Sequence, residues 1–169
     1  NSADVNFSGE GNAFVETSDF FKTSLIGQFR LNKITANPRE VFDEPKSFDA
    51  ANLEFRLLLD PFEVQLKHFY GVDKARALSV SGEAQFVIDD TGWSIAVQAM
   101  LDRLNYEGLM HYWPHAFKKP QRRWVAENVE KADLSDIVYD LRYDKENALR
   151  TSLSFAFKDA EFSPIKDFP

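Results

Sequence analysis

The chain has 169 residues, 44% of them hydrophobic and 28% charged, which suffices for one folded domain with its own core. A formal net charge of −7 argues against general nucleic-acid binding, which needs a basic surface. The sequence contains no cysteine, which excludes disulfides and thiolate metal sites, and it has no apolar run long enough to predict a membrane-spanning helix.

Alternating apolar and polar residues predict strands along the first half of the chain. Two or three strands are expected in residues 1–49, including one long strand or a strand pair from Phe21 to Ile34. Asn37–Pro38 and Glu44–Pro45 indicate a loop. The clearest strand pair covers residues 52–72, and Asp60–Pro61 marks its turn because proline cannot donate to a strand ladder.

Residues 77–112 predict three further strands. The first two alternate on either side of a hairpin loop at Asp89–Gly92. The third is assigned to the apolar residues that follow at every second position, which are Leu104, Tyr106, Gly108, Met110 and Tyr112. A one-residue slip would turn all these apolar sets outward, so the strand register is well specified.

The stretch from Glu107 to Val129 is the most distinctive part of the sequence. Pro114 is expected to end a strand, and Pro120 suits the first turn of a helix. Trp124, Val125 and Asn128 then recur at helical spacing, which predicts one α-helix near 117–130. Strands are expected to resume from Ile137 onwards.

The predicted fold is mainly β, an antiparallel meander of about nine or ten strands with one inserted α-helix, forming a single domain over residues 1–169. Most strands have one apolar and one polar side, which is typical of a sheet with one wet face. A curved sheet whose apolar side is incompletely covered would form a groove.

Around this helix the sequence resembles a known family. Trp113-Pro114, followed by Arg123-Trp124 and then Asn128, is similar to a domain of unknown function in AsmA-like envelope proteins of Gram-negative bacteria, in the YhdP-type branch. The tail from Phe157 to Pro169 resembles the unit with which such proteins begin each new segment. The family often has a glycine soon after the helix, and residues 129–136 contain none.

The resemblance implies a large periplasmic protein, anchored in the inner membrane, whose β-sheet trough moves phospholipid between the inner and outer membranes. The chain begins at Asn1 rather than Met, and we expect it to be one excised section of that trough, adjoined by other segments of its parent chain. The partners expected are phospholipid acyl chains. No cofactor, metal, nucleic acid or enzymatic activity is predicted.

The residues can supply what such a function needs. Burying one CH₂ is worth about 0.8 kcal/mol, so full coverage of an acyl chain of about 14 methylenes gains on the order of 11 kcal/mol. A continuous apolar strip is therefore sufficient, without a polar pocket. The candidate lipid-facing residues are Phe55, Leu57, Phe86, Ile95, Val97, Leu104 and Phe155.

Each of these residues has an ordinary alternative interpretation. The apolar faces serve first as a folding core, and Trp124 anchors the helix. The basic residues of 118–123 form either a solvated helix face or a contact for lipid phosphate. His111 and His115 have the spacing of a helical metal pair, but Pro114 between them argues against a metal site.

Two other classes of protein compete with lipid handling. A non-catalytic β-sandwich module that recognises a glycan or a protein would present coplanar exposed aromatics, with Trp93, Tyr106 and Tyr112 as candidates. An enzyme on a curved sheet would need polar residues converging in a cavity, with His68 and Asp102 as the first to test. No catalytic motif is present in the sequence.

Overall fold

The computed structural model describes residues 4–18, 22–37, 42, 44–90, 92–113, 115, 118–144 and 148–163. Of these residues 77% lie in strands, which leaves two short helices and the turns. The strands are β1 (Asp4–Ser18), β2 (Lys22–Asn37), β3 (Lys46–Phe48), β4 (Ala50–Leu59), β5 (Phe62–Asp73), β6 (Leu78–Asp89), β7 (Gly92–Asn105), β8 (Val129–Asp144) and β9 (Ala148–Phe162). The helices are α1 (Tyr106–Tyr112) and α2 (Lys119–Asn128).

All nine strands belong to one antiparallel sheet in the order β1-β2-β4-β5-β6-β7-β8-β9, with β3 paired to β2. Each strand pairs almost entirely with its neighbour in the chain, so the predicted antiparallel meander is confirmed. The sheet is open, with β1 and β9 as its edges. Because the nine strands form one sheet, the described residues do not build the β-sandwich of the alternative interpretation.

The predicted turns are confirmed where the structure describes them. β4 turns into β5 at Asp60–Pro61, and Asp89 pairs with Gly92 across the hairpin between β6 and β7. Of the two alternatives for the segment from Phe21 to Ile34, the structure shows one long strand, β2 (Lys22–Asn37), and Phe21 itself lies outside the described residues. The short strand β3 lies just after the predicted loop, and β8 begins at Val129 rather than near Ile137.

The strand predicted through Tyr106–Tyr112 is wrong, because these residues form α1. Asn105 precedes the helix, and its side chain accepts a hydrogen bond from the Gly108 amide at 2.8 Å. This is an N-cap, which satisfies one of the free donors of the first helical turn. The apolar residues at every second position include pairs spaced four apart, so the alternation also fitted a helix.

The second helix, α2, is shorter than the predicted 117–130. Lys118 precedes it in the left-handed conformation with φ 48°, and Pro120 lies in its first turn, as expected. At the other end the Asn128 side chain donates to the Trp124 carbonyl at 2.8 Å, and the Asn128 carbonyl accepts from the Ser163 amide. The second of these bonds joins the end of α2 to the residue that follows β9.

The buried core lies at one end of the sheet, where the two helices cover it. Its buried members come from β6, β7 and β8, and they are Leu78, Leu104, Val129, Ala132, Leu134 and Ile137. Tyr106, Leu109 and Tyr112 of α1 and Trp124 and Val125 of α2 pack against them. The helices therefore act as a lid over a small part of a much larger sheet.

Candidate functional site: an apolar sheet face with one covered end

Directly opposite residues in neighbouring strands point to the same side of a sheet, so the register defines rows of side chains across it. One row crosses eight strands and is apolar throughout. It consists of Val15, Leu25, Leu57, Val64, Phe86, Ile95, Tyr143 and Leu149. At about 4.8 Å between strands, such a row is about 34 Å long.

Three more rows lie on the same side. The next one contains Ala13, Gly27, Phe55, Leu66, Ala84, Val97, Leu141 and Thr151. Two further rows follow on this side of the sheet. The first reaches β9 at Leu153, and the second reaches β8 at Ile137. We call this side of the sheet the apolar face. It is nearly free of charge across its whole width, as the sequence alternation predicted.

The opposite side, which we call the polar face, carries cross-strand hydrogen bonds between side chains. The Gln28 amide donates to Glu54 at 3.3 Å, and the Gln98 amide donates to Asp140 at 3.0 Å. Gln85 of β6 donates to Glu63 of β5 in the same way. Polar groups paired in this manner while remaining exposed are typical of a water-facing surface.

The apolar face divides into two parts. At the covered end, beneath α1 and α2, Leu104 and Ile137 are each only 5% exposed. Over the rest of the face, which we call the uncovered part, Trp93 is 48% and Leu153 is 52% exposed. Large apolar side chains that are half exposed on neighbouring strands are unusual on a monomer, where the largest apolar patch is about 300–600 Å² and often marks a binding surface.

The structure places the candidate lipid-facing residues in both parts. Six of the seven lie on the uncovered part of the apolar face and are half-buried or exposed: Phe55, Leu57, Phe86, Ile95, Val97 and Phe155. Leu104 is the exception. It is buried against α1, because β7 ends directly in that helix, and it is therefore a core residue rather than a lipid-facing one.

Aromatic side chains cluster at the far end of the apolar face from the helices. Trp93 stacks on Tyr143 with ring centres 4.2 Å apart, and the Phe86 ring lies 6.4 Å from both Trp93 and Phe62. Tyr106 and Tyr112 lie instead in α1 at the opposite end. The three aromatics proposed for glycan stacking therefore do not form one platform.

Close approaches between strands let aromatic rings lie flat on the face. A Cβ on Gly27 would collide with the Phe55 ring, so the absence of a side chain makes room for that ring. Phe55 in turn stacks on Phe29, with ring centres 5.2 Å apart and an angle of 3° between the planes.

Both faces of the sheet carry shallow hollows. One of about 570 Å³ is lined mainly by polar-face residues of β5 to β8, among them Gln65, Gln85 and Arg142. The apolar face carries an open hollow of about 420 Å³ beside Phe86 and Trp93. The apolar face is thus an extended surface, and a groove on that side requires another wall.

Trp113, Trp124 and Asn128, which carry part of the predicted family resemblance, make contacts at the ends of the two helices or with the core. The Trp113 amide donates to the Leu109 carbonyl at the end of α1, and Arg122 donates to the carbonyls of Trp113 and Met110. Trp124 is half-buried against the core, whereas Arg123 is exposed and Asn128 is buried. Pro114 lies outside the described residues.

A buried polar network fixes α1 to the sheet. Asp73, at the end of β5, is 2% exposed and accepts from the Tyr112 hydroxyl at 2.7 Å and from Arg76 at 2.9 Å. Burial raises the pKa of Asp73, but the bonds from Tyr112 and Arg76 outweigh burial and hold its pKa below 3.8. Burial and the bond to Asp73 raise the pKa of Tyr112 well above its usual range.

His111 extends this network to β3. The Lys46 ammonium donates to Nδ1 of His111 at 3.4 Å, and Arg76 donates to the same nitrogen at 3.2 Å. Burial, with the nearby charges of Lys46 and Arg76, lowers the pKa of His111 below 6.5. Because both donors lack acceptor capacity, a neutral His111 carries its proton on Nε2. No local sequence pattern indicates this contact, since Lys46 and His111 lie 65 positions apart.

The candidate catalytic residues are not brought together into a cavity within the described part of the chain. His68 is exposed on β5, opposite Glu54. Asp102 is exposed on β7 and accepts from the backbone and the hydroxyl of Ser79 and from the Arg103 amide. Burial raises its pKa, and these bonds outweigh burial and lower it. Asp102 thus joins β7 to the start of β6 through Ser79.

The described residues contain no group of three or more potential metal-ligating side chains, although His111 and His115 line one small pocket. Neither α1 nor α2 has the length and apolar character needed to cross a membrane.

Comparison with known proteins gave no match: no protein-family model, no curated protein and no solved structure matches the chain. The class of protein is therefore defined by geometry alone, as an open antiparallel sheet with one apolar face and a helical lid at one end. The AsmA-like resemblance stays a prediction.

Proposed function

We propose that this chain is one wall of a lipid-carrying β-sheet groove, on whose apolar face phospholipid acyl chains lie while their headgroups remain in water. The observation that carries this proposal is the row of apolar side chains that crosses eight strands and is left uncovered beyond the helices. The parent protein is periplasmic and anchored in the inner membrane on this proposal, which also draws on the AsmA-like resemblance.

The binding free energy expected for one acyl chain on this face is small, which suits transfer of lipid rather than its storage. One open face covers about half of an acyl chain, so of the roughly 11 kcal/mol available from full coverage at most about 5 kcal/mol is gained. This corresponds to a dissociation constant on the order of 0.1 mM before the costs of ordering the chain are subtracted. Adjoining segments that supply the opposite wall would strengthen binding, and weak binding at each step permits movement.

The polar face is consistent with this arrangement. Its paired side chains, such as Gln98 with Asp140, remain accessible to solvent, so this side needs no cover. Lipid therefore has one side on which to bind. A protein partner on the apolar face would bury the same rows. The experiment must therefore distinguish lipid binding from binding of a protein.

The test is binding of a phospholipid with brominated acyl chains to the delipidated chain, followed by quenching of Trp fluorescence. Trp93 lies on the uncovered part, whereas Trp113 and Trp124 lie at the covered end. We expect quenching that is strong in the unaltered chain and is lost in the variant Trp93→Phe.

A matched pair of variants on β7 provides the control. Ile95→Glu places a charge in the middle of an apolar row, and Ser94→Glu places the same charge at the neighbouring position on the polar face. We expect Ile95→Glu alone to abolish quenching, provided that circular dichroism shows both variants folded. Equal binding by Ile95→Glu and the unaltered chain would contradict the proposal.

A further inference from the structure

The two edge strands, β1 and β9, are each 15 residues long and each pairs on one side only within the described part of the chain. The free amide and carbonyl groups of a long edge can pair with another strand, and proline or lysine usually protects such an edge. β1 contains no proline, lysine or arginine. Phe7 and Val15 of β1 and Phe157 of β9 are 66%, 64% and 65% exposed. Both edges therefore have backbone and apolar side chains open to a further strand.

The number of strands decides how a second sheet can continue the first. In an antiparallel sheet the backbone groups of one residue point to one neighbouring strand, and those of the next residue point to the other. Eight strands lie on the path from β1 to β9, so these two edges run in opposite directions. The end residues of one row, such as Val15 and Leu149, then point their backbone groups the same way, both into the sheet or both out of it. β9 of one copy can therefore pair antiparallel with β1 of another, with both apolar faces on the same side.

Both edges are regular over matching lengths. The register shift between β1 and β2 places the extra residue, Asn32, in β2. β9 is regular as far as Lys158, and a bulge follows at Asp159, where φ is 52°. Residues 8–17 of β1 and 149–158 of β9 can thus form a continuous ladder with about ten backbone hydrogen bonds. A typical protein–protein interface contains about the same number.

The charges of the two edges have opposite signs. Glu10 and Glu16 are exposed on β1, which has no basic residue. In the regular part of β9 the charged residues are Arg150 and Lys158, and both are exposed. Arg150 lies directly opposite Arg142 of β8, and like charges in that position repel each other. A carboxylate on the open side of β9 would relieve this repulsion, whereas pairing β1 with a second β1 would bring carboxylates together.

We propose that copies of this chain join edge to edge, β9 of one copy pairing antiparallel with β1 of the next so that Arg150 lies opposite Glu16. Glu16 is 3.7 Å from Arg56 of its own sheet, but its side chain is half exposed and a carboxylate accepts from more than one donor. In this register Leu153 comes opposite Ala13, so a large apolar side chain meets a small one. The apolar face then continues from one copy into the next.

This interface joins two different surfaces, so it leaves a free β1 and a free β9 at the ends of every pair of copies. Assemblies larger than a dimer are therefore expected. Each added copy lengthens the apolar face by eight strands, or about 38 Å. The inference goes beyond the proposed function and does not depend on it, because the edges pair through their backbones whether or not lipid lies on the face.

The chain contains no cysteine, so single engineered thiols report the pairing directly. In the proposed register Asn12 of one copy lies opposite Ser154 of the next, at a separation that a disulfide can bridge. A mixture of Asn12→Cys and Ser154→Cys should form a disulfide-linked dimer under mild oxidation, and either variant alone should form little. Equal cross-linking in each variant alone would show that like edges pair, which overturns the proposal.

Sedimentation velocity over a concentration series measures the association itself. Arg150→Glu should weaken it about tenfold, and it should not weaken the fold because the new carboxylate faces Arg142. Lys67→Glu makes the same change of charge at an exposed position on β5 and should leave association unchanged. Mixing Arg150→Glu with Glu16→Lys should restore association, since each variant then offers the other an edge of opposite charge.

Two results overturn the proposal. One is the mass of a single chain, 19.4 kDa, at every concentration. The other is equal association by the Arg150→Glu and Lys67→Glu variants, which would place the contact away from the edges. Quenching by brominated lipid in a chain that stays monomeric would leave the lipid-binding face supported, so the failure of this inference and the failure of the proposed function are distinguishable.

Discussion

The covered end and the uncovered part of the apolar face are built from the same kinds of residue in the same sheet, yet they differ in what surrounds them. Leu104 and Ile137 are enclosed by α1 and α2, whereas Leu153 is half exposed on the edge strand β9. Most of the stability of this chain therefore comes from the covered end, where the helices bury apolar side chains. The remaining apolar area contributes less to stability and is available for another molecule.

The largest expected difference comes from truncating one leucine in each part. Leu104→Ala removes a buried side chain and should lower the free energy of unfolding by about 2–5 kcal/mol. Leu153→Ala removes an exposed one and should cost less than about 1 kcal/mol. Urea denaturation followed by circular dichroism measures both. Similar losses at the two positions would mean that the uncovered part is enclosed in solution.

The polar network at the covered end gives the next largest effect. Tyr112→Phe removes the hydroxyl that donates to the buried carboxylate of Asp73, and a bond to a charged group contributes about 1.5–3 kcal/mol. Tyr143→Phe, on the uncovered part, should change stability by less than about 0.5 kcal/mol. The same denaturation measurement compares them, and equal effects would show that Asp73 does not hold α1.

Two glycines test how rigid the uncovered part is. A Cβ on Gly82 would overlap the backbone of β7 at Gln98 and Ala99, so Gly82→Ala should cost about 1–3 kcal/mol. A Cβ on Gly27 meets chiefly the Phe55 ring, which is a side chain on the open face rather than backbone, so Gly27→Ala should cost less than about 1 kcal/mol. The melting temperatures of the two variants measure this difference. Gly82→Ala should lower the melting temperature more, because the backbone of β7 cannot move away as the Phe55 side chain can.

The smallest effect is the pH dependence due to His111. Its pKa is lowered in the folded state, so the unfolded chain binds more protons as the pH falls below 6.5. The stability contributed by neutral His111 is therefore complete above pH 6.5 and is lost as the pH falls through its lower folded-state pKa. Denaturation at about pH 7 and about pH 5.5 should show this loss in the unaltered chain and a smaller one in His111→Gln. If His111→Gln showed the same pH dependence as the unaltered chain, His111 would not be the cause of the loss.

Much of the fold follows from the sequence because alternation is a direct consequence of strand geometry. Local patterns predicted the alternation along β4 to β7, the turns at Asp60–Pro61 and Asp89–Gly92, and the approximate position of α2. They did not predict the register shifts in β4 and β5. The helix α1 was missed because Tyr106 to Tyr112 alternate like a strand. The better signal was Asn105, a favourable N-cap residue, followed by Glu107 in the first turn.

The candidate site was predictable only in part. Six of the seven apolar candidates lie on the uncovered part, since side-chain direction alternates along each strand. Whether a given apolar position is covered depends on where α1 folds back, which placed Leu104 in the core. The contact of Lys46 with His111 depends on how β3 and α1 meet in space, and no local pattern encodes that meeting.

Nearly all pairing in the sheet is between strands consecutive in the chain, so the sheet can lengthen or shorten by whole hairpins. Each β-hairpin contacts only its immediate neighbours, so the sheet is close to one-dimensional, in the manner of repeat proteins. Inserting or deleting one hairpin would preserve the direction of both edge strands and the side on which every apolar row lies. The span of the sheet would then change in steps of about 9–10 Å, with the helical lid untouched.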